Sequence, residues 1–194
     1  FRPNSNSRIA FFADRDLWYF DGIPDAFADV IFTHGYSIEN DLYFDGKERL
    51  EEMLDPQERP FLQSLFQNVC NWFGFEISLR TQGGAPEYAK HSILNPLVMP
   101  KQKSDFDPRF LSERGYSTPE SQLLESIQRD GFAGLQGKLL FDCFFKVFND
   151  FREKDHAKFA HVHLHEVCLI EGISTSNLSS RINQIIAAIQ LKLQ

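Results

Sequence analysis

The 194-residue sequence has few cysteines, no long apolar run and a shortage of positive charge. Cys70, Cys143 and Cys168 form an odd set with no C-x-x-C spacing. That argues against a disulfide framework and a zinc knuckle, and points to a reducing cytosol. No apolar stretch approaches the roughly 18 residues of a membrane span, and no signal-peptide pattern is present, so a cytoplasmic protein without a membrane role is expected. Lys and Arg number 20 against 27 Asp and Glu, a formal net charge of -7. Proteins that grip nucleic acid through their overall field are basic. Any such contact here needs a local patch or a partner.

What the chain does have is apolar surface. Hydrophobic residues make up 42% of it and 20 are phenylalanine, enough for a folded domain with a sizeable core. Ile9 to Phe12 is a short apolar run of the kind found in a buried parallel strand, and Asp29 to Thr33 is a second. Behind the second run comes "HGYSIENDLY", in which Ser37 suits a helix N-cap and Glu39 falls in the first turn. Strand, acidic turn, strand, acidic helix start is the order of an open α/β sheet, whose chemistry gathers at the carboxyl ends of the strands.

From Pro56 to Phe75 the apolar spacing turns helical, and "TQGGAPEYAKHSILNPLVMPKQKSDFDP" is rich in Gly and Pro, with His91 an ordinary loop histidine. Residues 45–118 are expected to form a helical and loop insertion within a single domain spanning 1–194. Helices are expected again from Pro119. One carries a Phe141, Phe144, Phe145, Phe148, Phe151 stripe; the last, Ser176 to Leu193, aligns Ile182, Ile185, Ile186, Ile189 and Leu193. Both stripes read first as core, with a homodimer or partner face as the alternative. In "HVHLHE", His161, His163 and His165 would share a face on a strand and could hold a transition metal. The flanking Phe159, Val162, Val167 and Ile170 favour a helix with surface histidines instead.

Asp14 and Asp16 carry the sharpest chemical signal. Two carboxylates flanking one residue, just past an apolar run, repel one another and raise one another's pKa. A hard divalent cation such as Mg2+ relieves that repulsion, and Glu39 could add a third oxygen ligand. The competing reading is a solvated turn neutralised by Arg15, with Glu39 serving the helix dipole. Gly137-Lys138 is not a P-loop: Phe132 stands where the first glycine is required, and Leu139 follows the lysine.

"IAFFADRD" followed by "VIFTHGYSIENDLY" resembles the Toprim-like domain family of bacterial defence proteins. That family includes the nuclease effector of the PARIS anti-phage system and is related to OLD-family nucleases. Asp14 and Asp16 match its Asp-x-Asp motif, Ser37 to Asn40 its Ser-Ile-Glu-Asn-like helix start, and Gly137-Lys138 its later Gly-Lys pair. The match covers about sixty residues directly. It implies an α/β fold, a Toprim-like parallel sheet flanked by helices with a mostly helical insertion.

The resemblance also implies a Mg2+- or Mn2+-dependent nuclease acting on RNA, tRNA or DNA and controlled by an ABC-type, OLD-like ATPase subunit. Asp14, Asp16 and Glu39 would be metal ligands and catalytic residues, and Lys138 would neutralise phosphate charge. The family's catalytic glutamate, which precedes Asp-x-Asp, has no counterpart among the first thirteen residues. Either the chain is a fragment lacking that N-terminal motif or the site is degenerate. A catalytically inactive module that docks onto an ATPase is the alternative function.

Overall fold

Helical periodicity governs most of the chain. The computed structural model describes residues 8–81, 100–152, 161–174 and 180–194. In order, β1 (Phe12–Ala13), α1 (Trp18–Asp21) and β2 (Ile31–Phe32) precede α2 (Ile38–Glu52) and α3 (Glu58–Thr81). Then come α4 (Pro108–Glu113), α5 (Ser121–Phe132), α6 (Gly137–Phe151), α7 (His161–Ser174) and α8 (Arg181–Leu193).

The strands pair in parallel, Phe12 opposite Ile31 and Ala13 opposite Phe32, but they are the only two in the sheet. The α/β expectation, a Toprim-like parallel sheet flanked by helices, is therefore overturned: the described residues are mostly helical. The physical reason lies in length. Two apolar runs of four or five residues supported only a two-residue ladder, whereas the apolar positions of the later segments recur every three to four residues over several turns. Nor is the first strand buried: Ile9 is 63% exposed, Phe11 62% and Phe12 40%.

The core lies between helices. Leu50 of α2, Leu65 and Phe73 of α3, Phe141 and Phe144 of α6, and Leu164 and Cys168 of α7 are all fully buried in one continuous cluster. The described residues of the 45–118 range therefore share a core with the helices around them, and position 45 falls inside α2. In the α6 stripe Phe141, Phe144 and Phe148 are core, with Phe145 and Phe151 packed against it. In the α8 stripe Ile182 and Ile185 are buried, while Ile186 and Leu193 face outward. A second, aromatic cluster joins Trp72 and Phe75 to Phe106, Phe110 and Tyr116.

Among the described residues the most extensive helix pairing is α2 with α7. Gly46 makes it possible: a Cβ there would lie 2.5 Å from Cys168 Cα, so only glycine lets the backbones meet. The intrinsic cost of a mid-helix glycine, about 1 kcal/mol, is outweighed by that packing. Most of the Gly/Pro-rich stretch, with His91, lies outside the described residues, as does the first part of the expected Ser176–Leu193 helix. Ser180 caps α8, its Oγ accepting from Asn183 N–H at 3.2 Å. Among the described residues the three cysteines are free and buried, and no helix is long and apolar enough to cross a membrane.

Candidate functional site: a carboxylate cluster at the start of α2

Asp14 leaves β1 and binds the next element directly. Its Oδ1 accepts from Ile38 N–H at 2.8 Å. That donor is one of the unsatisfied N–H groups at the start of α2, where the helix dipole favours negative charge. The turn continues with Arg15 N–H donating to Thr33 Oγ1 at 3.1 Å and Asp16 N–H to Tyr36 O at 2.7 Å. Asp16 sits at φ 48°, in the left-handed region that Asp tolerates better than most residues.

The β2–α2 connection is held from within. Asp41, fully buried, accepts from His34 N–H at 2.8 Å and Gly35 N–H at 3.0 Å, and Arg181 Nη1 donates to it at 3.4 Å. Asn40 Oδ1 accepts from Ser37 N–H at 2.9 Å, capping α2 with an amide where a capping box more often has Glu or Gln. Asn40 Nδ2 also donates to Phe132 O at 3.0 Å and Leu135 O at 2.8 Å, tying the end of α5 to the start of α2. Gly137 then opens α6 against the same turn. A Cβ on it would meet Ser37 Oγ at 2.5 Å and Glu39 Cβ at 2.7 Å.

The carboxylates share one electrostatic field. Burial raises the Asp14 pKa; the Ile38 N–H bond opposes that, and the charges of Glu39, Asp16 and Asp41 push it further up. Burial raises Asp16 as well, with Glu39 adding to it. Arg15 is not a bonded counter-charge: it forms no ion pair among the described residues, and its Nε is buried without a hydrogen-bond partner among them. Among the described residues no group of three His, Cys, Asp or Glu is placed to grip a metal ion. A cation attracted here would keep part of its water shell, as Mg2+ does.

Asp14, Asp16 and Glu39 thus lie within electrostatic reach of one another. The Gly-Lys pair sits beside them through Gly137, while the Lys138 side chain is exposed. Lys138 lies one turn from Asp142, whose carboxyl is pushed up to about 6 by burial against the lowering effect of that lysine.

Three residues escaped the sequence reading. Asp41 and Arg181 are 140 positions apart, and no local pattern pairs them. His165, expected at the surface, is partly buried, its ring edge-on to Phe141 at 4.1 Å. Burial lowers its pKa and the Glu39 charge raises it; its Nε2 is buried without a partner among the described residues. The one available signal was its four-residue spacing from His161 on a helix.

Comparison of the chain with family models, with curated proteins and with solved structures found no match.

Proposed function

We propose that the chain is a divalent-cation-dependent nuclease effector, hydrolysing phosphodiester bonds in RNA or DNA under the control of an ATPase partner, as the resemblance to Toprim-like defence proteins implies. The reading does not rest on a Toprim sheet. One observation carries it: at the start of α2 burial raises the carboxyl pKa values of Asp14 and Asp16, and the neighbouring carboxylates, Glu39 above all, push them further up with no bonded cation among the described residues. Crowded carboxylates destabilise a fold unless positive charge is supplied.

A bound Mg2+ or Mn2+ would supply that charge, lower the pKa of a coordinated water and stabilise the leaving oxygen. Asp16 and Glu39 would hold the hydrated ion. Asp14, with one oxygen committed to Ile38 N–H, would offer the other. Lys138, exposed at the start of α6, would steady phosphate charge. Asp41 and Asn40 hold the turn that presents these groups.

The test is Mn2+ titration of the purified chain, followed by RNA and DNA cleavage with its ATPase co-expressed. Asp16→Asn and Glu39→Gln should weaken Mn2+ binding at least tenfold and abolish cleavage and toxicity. Wild-type chain that binds no Mn2+, or variants that still cut, would refute the reading.

A second reading, a docking module without catalysis, draws on the exposed Ile9, Phe11 and Phe12 along β1. Their side chains leave apolar surface uncovered beside a strand with one unpaired edge. Co-purification of the ATPase with a chain that ignores Mn2+, lost on Phe11→Asp, would favour it.

A further inference from the structure

A second site lies on the other side of the α5 terminus. A cavity of about 330 Å3 opens between α2, α3 and the end of α5. Its inner wall is apolar and mostly aromatic: Tyr43, Leu54, Leu62, Phe66 and Phe132. The Phe66 and Phe132 rings are tilted against each other with centroids 4.6 Å apart, and Tyr43 meets Phe66 edge-on at 6.5 Å. Its mouth is polar and exposed, formed by Glu51, Arg59 and Gln63.

Three features separate this cavity from a packing defect. The first is the backbone of its wall: Asp130, Gly131 and Phe132 run at φ 50°, 73° and 65°, three consecutive left-handed residues of which two are not glycine. Such conformations cost about 1 kcal/mol or more each and persist where the surrounding structure enforces them. Here Asn40 Nδ2 holds the Phe132 carbonyl at 3.0 Å, and the result is an aromatic ring set into the cavity wall.

The second is a hydroxyl set in the wall. Tyr43 lines the cavity and is 3% exposed. Burial and the Glu51 charge hold its phenol well above the usual range, so it stays a donor.

The third is the charge at the mouth. Arg59 is steadied by one bond, Nη2 to Glu51 O at 2.8 Å, which leaves its other N–H groups free to act as donors. The Glu51 carboxylate forms no ion pair among the described residues. One fixed cation and one free anion thus border an aromatic slot.

We infer that this cavity binds a small aromatic zwitterion of the α-amino-acid class, its ring against Phe66 and Phe132, its ammonium on Glu51 and its carboxylate on Arg59. The size agrees, since ligand cavities begin at about 300 Å3, room for one ring with its head group. Offset and edge-on ring contacts favour an aromatic occupant over an aliphatic one. A phosphorylated ligand would meet the Glu51 charge. The inference is independent of the nuclease reading, although Asn40 borders both sites.

Calorimetric titration of the full chain with L-phenylalanine, 2-phenylethylamine and 3-phenylpropanoate tests it. L-phenylalanine should bind, and each probe lacking one charge should bind at least tenfold more weakly. Glu51→Gln and Arg59→Gln, both at exposed positions, should each cost the zwitterion tenfold or more while leaving thermal unfolding unchanged. Leu62→Trp should fill the cavity and abolish binding. Absence of binding by all three probes, binding of either one-charge probe as tight as that of L-phenylalanine, or indifference to both mouth variants would overturn the inference.

Discussion

Gly137 and Glu39 touch across 98 residues of sequence: a Cβ on the glycine would lie 2.7 Å from the Cβ of the glutamate. The contact joins the start of α6 to the start of α2 and leaves no room for a methyl group. Gly137→Ala should therefore separate the two helix starts, costing about 1 to 3 kcal/mol in overpacking strain. Urea denaturation would measure the loss, and Mn2+ titration would show whether Glu39 moves with it.

The burial of Asp14 and Asp16 beside other carboxylates has a pH signature. Both folded-state pKa values are raised above 3.8, so the stability these groups contribute is complete below that value and is lost as pH rises through the raised ones. Metal-free protein should lose stability as pH climbs from about 4 toward neutrality. Asp16→Asn should flatten that slope while keeping a residue suited to the left-handed turn, which alanine would not. Melting curves against pH, with and without millimolar magnesium, would read both effects; magnesium should raise the melting temperature most near neutral pH.

Asp142 offers an independent case inside α6. It is 2% exposed, and burial pushes its carboxyl up to about 6. The same sign holds: its contribution is complete below 3.8 and lost as pH rises through about 6. Asp142→Asn should stabilise the protein at pH 7 by about 2 to 3 kcal/mol, at about 1.36 kcal/mol per pKa unit. The gain should vanish near pH 4, and paired urea titrations at the two pH values would detect it.

Asp41 should be the least replaceable acid near the site. Alanine there would leave the half-buried His34 and buried Gly35 N–H groups and the Arg181 guanidinium without their shared acceptor. The expected cost is about 3 to 5 kcal/mol. Arg181→Ala should cost less, since Asp41 keeps both backbone donors. If chemical denaturation ranked the two the other way, the turn would depend on α8 and not on the carboxylate.

Periodicity alone located the long helices, because an apolar residue every three or four positions has few ways to be buried other than on a helix face. Phe141, Phe144 and Phe148 were legible as core for that reason. The same reasoning misjudged Ile9 to Phe12. A short apolar run carries no period, and nothing local says whether later strands will cover it. Glu39 in the first turn of α2 and Asn40 at its cap were within reach of local capping rules, whereas Arg181 beside Asp41 was not.

What the sequence determined by itself was local: helix faces, the Ser37 start of α2, the lack of a disulfide pattern, and which side chains could carry charge. Tertiary structure decided that β1 and β2 form a two-residue ladder and not the start of a larger sheet. It also decided that Gly46 meets Cys168 and that Gly137 meets Glu39. Local propensity depends on a handful of neighbouring dihedrals and can be read along the chain. Partner choice depends on how all the apolar faces are buried at once, and the tight contacts at Gly46 and Gly137 exist only after that competition is resolved.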